Sequence, residues 1–363
     1  MKVLLIAPFP PPVTGHSLAS QVLLSGLAGV HESAVVNLSV GSLHDGRITA
    51  RRIREVGKVL LNVWRQKRWA DAIYFTISES RAGNLKDLLI YLACAGRLGR
   101  MFVHLHGGTI GRELFERYPA WRRINGVFIR RLAGVIISGP AHLEIFTGMI
   151  DRERIHMVPN CAEDELFVAE EDVLNKFSET SPLRVLYLSS MSPEKGYLDL
   201  AEAWFRFSPE QRREIQLGFA GRFESDAHRR SFEARIAGAP GIRYHGLVTP
   251  QEKCRLFKQA HVFCLPTQMF EGQPISILEA YAAGCVVMTT GQRGSLDVFT
   301  DGVNGFELVA GSVESIAATL SRLPNAVERL EQMAVSNRRM AGERYRTTTY
   351  TAALTRILEL AAV

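Results

Sequence analysis

The sequence predicts an α/β protein of two domains, each a parallel β-sheet covered by helices on both faces. Short apolar segments alternate with helical segments along the chain, which is typical of βαβ units. The rhythm restarts near the middle: residues 2–15 and 184–196 both have a basic residue, a short apolar strand and a proline-containing loop that closes on glycine. A chain of 363 residues is also long enough for about two domains.

The individual elements follow from this pattern. We predict strands at residues 3–7, 34–38, 72–77, 102–105 and 134–137, with helices at 17–27 and 85–98. A second series of strands begins at residue 184 and continues at 216–220, 261–265 and 286–289, and a helix at about 348–360 ends it. The predicted domains are residues 1–162 and 163–344, with a C-terminal helix (about 345–363) that packs back on the first.

Composition excludes several classes of protein. Apolar residues make up 47% and charged residues 22%, which is ordinary for a globular protein. The five cysteines are odd in number and form no CxxC pair, which argues against a disulfide framework or a structural zinc site and fits a reducing cytosol. No apolar run is long enough to span a membrane, and the proline-broken first segment is too short for a signal peptide. We therefore expect a cytoplasmic protein.

Charge is unevenly distributed. Residues 1–131 carry 19 Lys and Arg against 8 Asp and Glu, whereas the remainder carries 24 against 29. Residues 47–68 hold eight basic residues and one acid, Glu55, and Ile53, Val56, Leu60, Val63 and Trp64 lie between them. A second cluster comprises Arg112, Arg117, Arg122, Arg123, Arg130 and Arg131. The first stretch predicts an amphipathic basic helix on an anionic membrane surface. A solvated charged face is the alternative, and no nucleic-acid-binding module is evident.

Two loops of the first domain are candidate ligand sites, because ligands of open α/β sheets bind at the carboxyl ends of strands. Residues 8–17 are rich in proline and include Gly15 where a helix begins; a plain βα turn is the alternative. The second loop contains His104, His106 and the Gly107-Gly108 pair. The two histidines point to the same strand face, but no third metal ligand has suitable spacing. We select His106 as the functional candidate.

Two segments of the second domain carry the clearest signals. In the first, Pro193 and Glu194 fit the first turn of a helix, and Lys195 just inside it would add charge to an anion-binding helix N-terminus. A surface lysine is the alternative. The second segment begins at Glu271, and a tight turn with a helix start follows. Glu279 then lies within apolar helix residues and needs polar partners, for which sugar hydroxyls would serve. A capping Glu and a surface Glu are the alternative.

At this point the chain resembles a known family. The resemblance rests on the E-x7-E spacing of Glu271 and Glu279, the Ser-Pro-Glu-Lys-Gly loop at residues 192–196, the His-Gly-Gly at 106–108 and the Val-Pro-Asn at 158–160. Residues 284–291 and 301–306 also match. Together they resemble a retaining glycosyltransferase of the GT-B fold, family 4. The resemblance implies two Rossmann-like domains facing a cleft.

The resemblance also implies a role for each matching residue. Lys195 would pair with the diphosphate of a nucleotide-sugar donor, and Gly15 would lie under it. His106 would line the reaction centre, Glu271 would contact the donor sugar, and Glu279 would bind the ribose. The backbone of Gly272, Gln273, Pro274 and Ile275 would hold phosphate or sugar. Where the family has an arginine, this chain has Ser190, and Arg222 could replace that cation.

The expected activity is transfer of a hexosyl group, with retention, from a nucleotide diphosphate sugar to a glycan or lipid-linked acceptor. Bacterial surface polysaccharide assembly at the inner face of the membrane is the expected setting. No D-x-D motif occurs, so we expect no metal and no other cofactor. The alternatives are a nucleotide-sugar epimerase that does not use NAD and a non-catalytic membrane-surface scaffold. A glycosidase using the two glutamates fits the Rossmann pattern less well.

Overall fold

The computed structural model describes residues 1–39 and 50–362, without the side chains of Arg51, Arg52 and Ala362. The chain divides into two compact units. Unit 1 comprises Met1–Asn160, Glu271–Gln273 and Thr347–Val363, and unit 2 comprises Cys161–Phe270 and Pro274–Arg346.

Unit 1 contains a parallel sheet of six strands in the order β2-β1-β3-β4-β5-β6. Its strands are β1 (Lys2–Ala7), β2 (Glu32–Asn37), β3 (Ala72–Thr76), β4 (Met101–Leu105), β5 (Gly134–Ile137) and β6 (Ile155–Met157). The central strands β3, β4 and β5 are buried at every residue, as expected for a parallel sheet covered on both faces. The strand order changes direction between β1 and β3, which marks a ligand-binding edge at their carboxyl ends.

Helices of unit 1 connect these strands. They are α1 (Gly15–Leu27), α2 (Ala50–Gln66), α3 (Arg81–Ala93), α4 (Pro119–Ile129) and the C-terminal helix α14 (Thr347–Glu359), with a π-helix at Gly111–Glu116. Short 3₁₀ turns lie at Leu98–Arg100, Pro140–Phe146, Arg152–Arg154 and Leu360–Ala362. Thr14 begins α1 with a capping box: its Oγ1 accepts from the Ser17 amide at 3.1 Å, and the Ser17 Oγ accepts from the Thr14 amide at 2.8 Å.

Unit 2 contains a second six-stranded parallel sheet, in the order β12-β11-β10-β7-β8-β9. Its strands are β7 (Leu183–Leu188), β8 (Ile215–Ala220), β9 (Ile242–Tyr244), β10 (Val262–Leu265), β11 (Val286–Thr290) and β12 (Gly305–Leu308). This is the Rossmann order, and its direction changes between β7 and β10.

Nine α-helices are described in unit 2. They are α5 (Glu170–Phe177), α6 (Tyr197–Phe205), α7 (Pro209–Glu214), α8 (Asp226–Ile236), α9 (Pro250–Gln259), α10 (Ile275–Ala282), α11 (Arg293–Leu296), α12 (Val313–Leu320) and α13 (Val327–Arg344). Single 3₁₀ turns lie at Asp164–Leu166, Pro193–Lys195 and Leu323–Ala326. The buried Lys176 Nζ donates to the carbonyls of Ala283 and Gly284, at 2.8 and 2.7 Å, and so fixes the C-terminal end of α10.

The predicted α/β class with two Rossmann-like domains is confirmed, but three edge strands were missed. β6, β9 and β12 are three or four residues long and contain half-exposed or charged residues such as Arg243 and Glu307. They therefore lack the apolar run that marks the central strands. The helix predicted at residues 85–98 begins earlier, at Arg81, because the Ser80 hydroxyl caps it by accepting from the Gly83 amide. Within the described part of the chain, no helix combines the length and hydropathy needed to cross a bilayer.

Candidate functional site

The loop after β7 carries Lys195 to the ligand-binding edge of unit 2. Lys195 ends the 3₁₀ turn Pro193–Lys195, and α6 begins two residues later. The helix start predicted at Pro193 is thus a single 3₁₀ turn that contains Lys195, and it is separate from α6. Gly196 separates the two elements because it adopts a left-handed φ of +78°, and a Cβ there would clash with the Pro266 carbonyl. The Gln268 amide donates to the Glu194 carbonyl at 2.7 Å, so the loop packs against the segment after β10.

Ser190 and Arg222 follow the neighbouring strands β7 and β8, and both are exposed. The Met191 amide donates to the Arg222 carbonyl at 2.9 Å, so the two loop segments run side by side. Arg222 also lines a cavity of 580 Å³ at the carboxyl ends of β8 and β9, together with Glu224, Tyr244 and Leu247 among others. Arg222 thus follows the strand next to that of Ser190, the position at which the family resemblance implies an arginine.

Glu279 lies on the buried face of α10, with only 4% of its surface exposed. Its Oε1 accepts from the Lys253 Nζ of α9 at 2.6 Å, and the same Nζ lies 2.9 Å from the Glu163 Oε2. The result is one ammonium between two carboxylates. Pro274 occupies the N-cap position of α10 and Ile275 is its first residue, and both are half-buried.

Two groups of this triad, Glu279 and Lys253, have shifted pKa values. Burial raises the pKa of Glu279, and Lys253 opposes that rise only in part. Burial lowers the pKa of Lys253, but Glu279 and Glu163 together outweigh it and hold that pKa above its ordinary value. Lys253 therefore remains an ammonium at neutral pH and favours the ionised form of Glu279. A carboxylate held in this way can accept hydrogen bonds from the hydroxyls of a ligand.

Unit 1 has a histidine cluster at its own ligand-binding edge. The His104 and His106 rings stack with centroids 3.9 Å apart, and the His16 ring lies 5.2 Å from that of His106. The Tyr74 hydroxyl lies 2.7 Å from the His104 Nδ1 and 3.3 Å from the His106 Nε2. The sequence prediction that His104 and His106 share a face agrees with this geometry. Gly15, by contrast, is exposed in the first turn of α1.

The three imidazoles are neutral at physiological pH. Burial lowers the pKa of His104 to about 3, and the neighbouring His16 and His142 add to this effect. Burial also lowers the pKa of His106 well below its ordinary range, and that of His16, where the Glu79 carboxylate opposes the change. His106 can therefore donate or accept a hydrogen bond, but it carries no charge.

The Glu271–Gln273 segment belongs to unit 1 by its contacts. The Gln273 Oε1 accepts from the Asn160 amide at 2.6 Å, and the Gln273 Nε2 donates to the Ser138 carbonyl at 3.1 Å. A Cβ on Gly272 would clash with the His106 carbonyl. The segment is thus tied to the loop that carries His106, and Glu271 beside it is half-exposed.

A cavity of 310 Å³ opens at the carboxyl ends of β1 and β3 in unit 1. His16, Ser78, Glu79 and Lys86 give it polar walls. The Glu79 Oε1 accepts from the Thr109 amide at 2.6 Å, which fixes the carboxylate. The cavity thus offers carboxylate, hydroxyl, ammonium and imidazole groups, and such a set can bind a polyhydroxylated ligand.

Sequence reasoning missed several of these groups. His16 adjoins Gly15 in the selected loop, so its position was a usable signal. Glu79 follows β3, and the rule that ligands bind at strand ends could have identified it. Lys253 and Glu163 gave no signal, because each lies far from Glu279 in the chain. In the described residues, no group of three or more His, Cys, Asp or Glu could hold a metal ion.

Comparisons with known proteins agree with this architecture. The family "Glycosyl transferases group 1" matches residues 182–325, which lie in unit 2 except for Glu271–Gln273. The amylovoran biosynthesis glycosyltransferase AmsK of Erwinia amylovora is 23% identical over 292 residues, which are 78% of this chain and 68% of AmsK.

Two solved structures extend the likeness to the whole fold. HepE of Anabaena, solved with UDP and glucose, has a TM-score of 0.74 at 16% identity and covers 99% of both chains. Sucrose-phosphate synthase of Thermosynechococcus elongatus has a TM-score of 0.73 at 13% identity over 99% of this chain and 98% of its own. The fold of both units is that of GT-B glycosyltransferases.

Proposed function

We propose that the protein is a retaining glycosyltransferase that moves a hexosyl group from a nucleoside diphosphate sugar to a glycan or lipid-linked acceptor in surface polysaccharide assembly. The observation that supports this proposal most directly is the position of two residues at the edge of unit 2 where the strand order changes direction. There Lys195 follows β7, and Glu279 lies in the helix after β10. The name of AmsK, an amylovoran biosynthesis glycosyltransferase, supports a role in biosynthetic glycan assembly. The UDP bound by HepE supports a uridine nucleotide as the first donor to test.

In unit 2, we assign the diphosphate to Lys195 and Arg222 and the ribose to Glu279. A cation beside the leaving diphosphate stabilises the charge that develops there as the glycosidic bond breaks. The Lys253 ammonium favours the ionised form of Glu279 and orients it, so that the carboxylate can accept from two ribose hydroxyls. The 580 Å³ cavity beside Arg222 is large enough for a nucleobase.

In unit 1, we assign the acceptor to the 310 Å³ cavity that contains His16 and Glu79. His106 would hydrogen-bond the transferred sugar as a neutral imidazole, and Glu271 would accept from its hydroxyls. In the reaction, the acceptor oxygen bonds to the anomeric carbon as the bond to the diphosphate breaks. The acceptor proton passes to the leaving phosphate oxygen, on the same face of the sugar, so configuration is retained.

We also propose that α2 binds an anionic membrane surface. Ile53, Leu61 and Trp64 are 64%, 44% and 57% exposed, and Arg54 and Lys58 are exposed on the same helix. Apolar side chains beside basic ones are what an interfacial helix needs. Val63 is buried, so it cannot contribute to this surface as the sequence pattern predicts. Arg47 and the side chains of Arg51 and Arg52 lie outside the described residues.

Liposome sedimentation tests the membrane proposal. Vesicles with anionic lipid should retain the wild-type protein at low salt and release most of it at about 0.5 M salt, where charges are screened within a few ångströms. Arg54→Glu with Lys58→Glu should abolish binding. Arg213→Glu with Lys258→Glu, an equal charge change at exposed sites in unit 2, should not. Wild-type protein that stays in the supernatant at low salt would rule the proposal out.

The glycosyltransferase proposal is tested by nucleotide titration followed by product analysis. UDP, GDP and ADP are titrated by calorimetry, and the protein is then incubated with the sugar form of the nucleotide that binds. Transfer to an added glycan or lipid-linked acceptor, with the anomeric configuration read by NMR, is the expected result. Interconversion of the donor sugar without acceptor would indicate an epimerase. Failure of every nucleotide to bind would favour a non-catalytic scaffold.

A further inference from the structure

A second cavity of unit 2 lies away from the proposed nucleotide edge. It has a volume of 320 Å³ and opens on one face of the sheet, over β7, β8 and β9, with α9 as a wall. Its lining includes Arg184 and Gln216, near the amino ends of their strands, and it includes neither Lys195 nor Arg222. Gly218 leaves space between two lining residues, because a Cβ there would lie only 3.3 Å from the His245 Nε2 and 3.7 Å from the Leu186 Cδ1.

The lining of this cavity is positively charged. Arg184, Arg243 and Arg255 contribute guanidinium groups and His245 an imidazole, while none of the fourteen residues that line it is acidic. Arg184 is already held by the structure, since its Nε donates to the Gln259 carbonyl at 2.7 Å. Arg243 and Arg255 are exposed at the rim, on β9 and α9. Two guanidinium groups on different elements, together with an imidazole, form a set that binds oxyanions in preference to cations.

The remaining walls are apolar. Leu186, Leu217, Leu256 and Pro240 line the floor and sides. A bare ion would leave this surface without a partner, whereas a ligand of monosaccharide size would cover it. A cavity of this volume lies within the range of small-molecule sites. Charge and shape together therefore favour a small organic anion.

His245 connects this cavity with the proposed nucleotide site. It lines both the 320 Å³ cavity and the 580 Å³ cavity that contains Arg222 and Tyr244. We propose that the 320 Å³ cavity binds a small organic phosphate or carboxylate as an effector, and that His245 couples its occupancy to nucleotide binding. The coupling rests on the proposed function of unit 2, whereas the anion site does not.

The site is tested by direct titration of the full chain with glucose 6-phosphate, glucuronate and inorganic phosphate. Glucose 6-phosphate or glucuronate should bind, inorganic phosphate should bind more weakly, and the preferred probe identifies the anionic group. Arg243→Gln with Arg255→Gln should weaken binding at least tenfold. Arg213→Gln, at an exposed arginine of α7, should leave it unchanged. No saturable binding, or equal binding by the double variant, would overturn the site.

Coupling is tested separately. Saturating probe should change the affinity for UDP at least fivefold in wild type, and the change should disappear in His245→Gln when the probe is raised to a concentration that saturates this variant. Since linkage is reciprocal, UDP must alter probe affinity by the same factor. An unchanged UDP affinity would overturn the coupling. If another nucleotide of the series binds instead of UDP, it takes the place of UDP in this test. If UDP, GDP and ADP all fail to bind, the proposed function fails, but the probe titration still decides whether the anion site exists.

Discussion

The buried ion triad of unit 2 can be tested by removing its cation. Lys253→Met keeps a side chain of similar length but leaves the carboxylates of Glu279 and Glu163 without their ammonium. Breaking a buried pair on one side typically costs about 3–5 kcal/mol. Because the Glu163 side chain is 27% exposed and stays partly hydrated, we expect a loss near the lower end, about 3 kcal/mol.

The assay is hydrogen exchange of unit 2 peptides in urea, which reports this unit separately from unit 1. Lys258→Met, at an exposed position of the same helix, is the matched control and should shift the free energy of unfolding by no more than about 0.5 kcal/mol. Lys253→Met with Glu279→Gln should recover part of the loss, because a neutral amide replaces the unpaired charge. A loss no larger than that of the control, or no recovery in the double variant, would refute the ion-triad account.

The pH dependence gives an independent check on the same variant. A carboxyl whose pKa is raised in the folded state binds more protons there than in the unfolded chain, so its contribution to stability falls as pH rises above its ordinary value of 4.5. Without Lys253 this pKa rises further. The deficit of Lys253→Met should therefore grow between about pH 5 and 8. In wild type, the raised pKa of Lys253 keeps its contribution until the pH passes above 10.5.

Three further predictions concern catalysis. Lys195→Ala should lower turnover about ten- to hundredfold, since a charge-assisted contact is worth about 1.5–3 kcal/mol, and Lys258→Ala should not; near-normal turnover would remove Lys195 from the diphosphate site. Transfer should persist in EDTA, because the sequence has no D-x-D motif; a loss of activity that Mg²⁺ restores would contradict this expectation. Glu279→Gln should weaken donor binding, whereas Glu271→Gln and His106→Ala should lower kcat more than they change KM. Equal effects of all three on KM alone would contradict these assignments.

The central strands could be predicted from sequence because both of their faces are buried. Residues of β4 and β10 are buried without exception, and such strands appear as continuous apolar runs. The edge strand β9 could not be found in this way. It contains the exposed Arg243, and its place in the sheet is set by pairing with β8, where Gly218 is the partner of Arg243. Pairing between distant segments leaves no local pattern in the chain.

The residues of the candidate site also differ in whether a local sequence pattern identifies them. Lys195 and His106 could be selected because each follows a recognisable strand, and the strand-end rule applies to one segment at a time. The pKa of Glu279 depends in part on Lys253, which the strand-end rule does not identify. Lys253 is on another helix, and its sequence context, Gln251 to Cys254, is that of an ordinary solvated helix. Only packing shows that its ammonium meets Glu279.

Packing also determines what chemistry His106 can perform. From sequence alone, a histidine at a strand end can be a cation, a base or a hydrogen-bonding group. Burial removes the cationic form of His106, and the His104 ring, stacked 3.9 Å away, adds to this effect. The positive charge that a leaving diphosphate needs must then come from elsewhere. In the proposed enzyme it comes from Lys195 and Arg222 in unit 2, while His106 offers the sugar an uncharged hydrogen-bonding group.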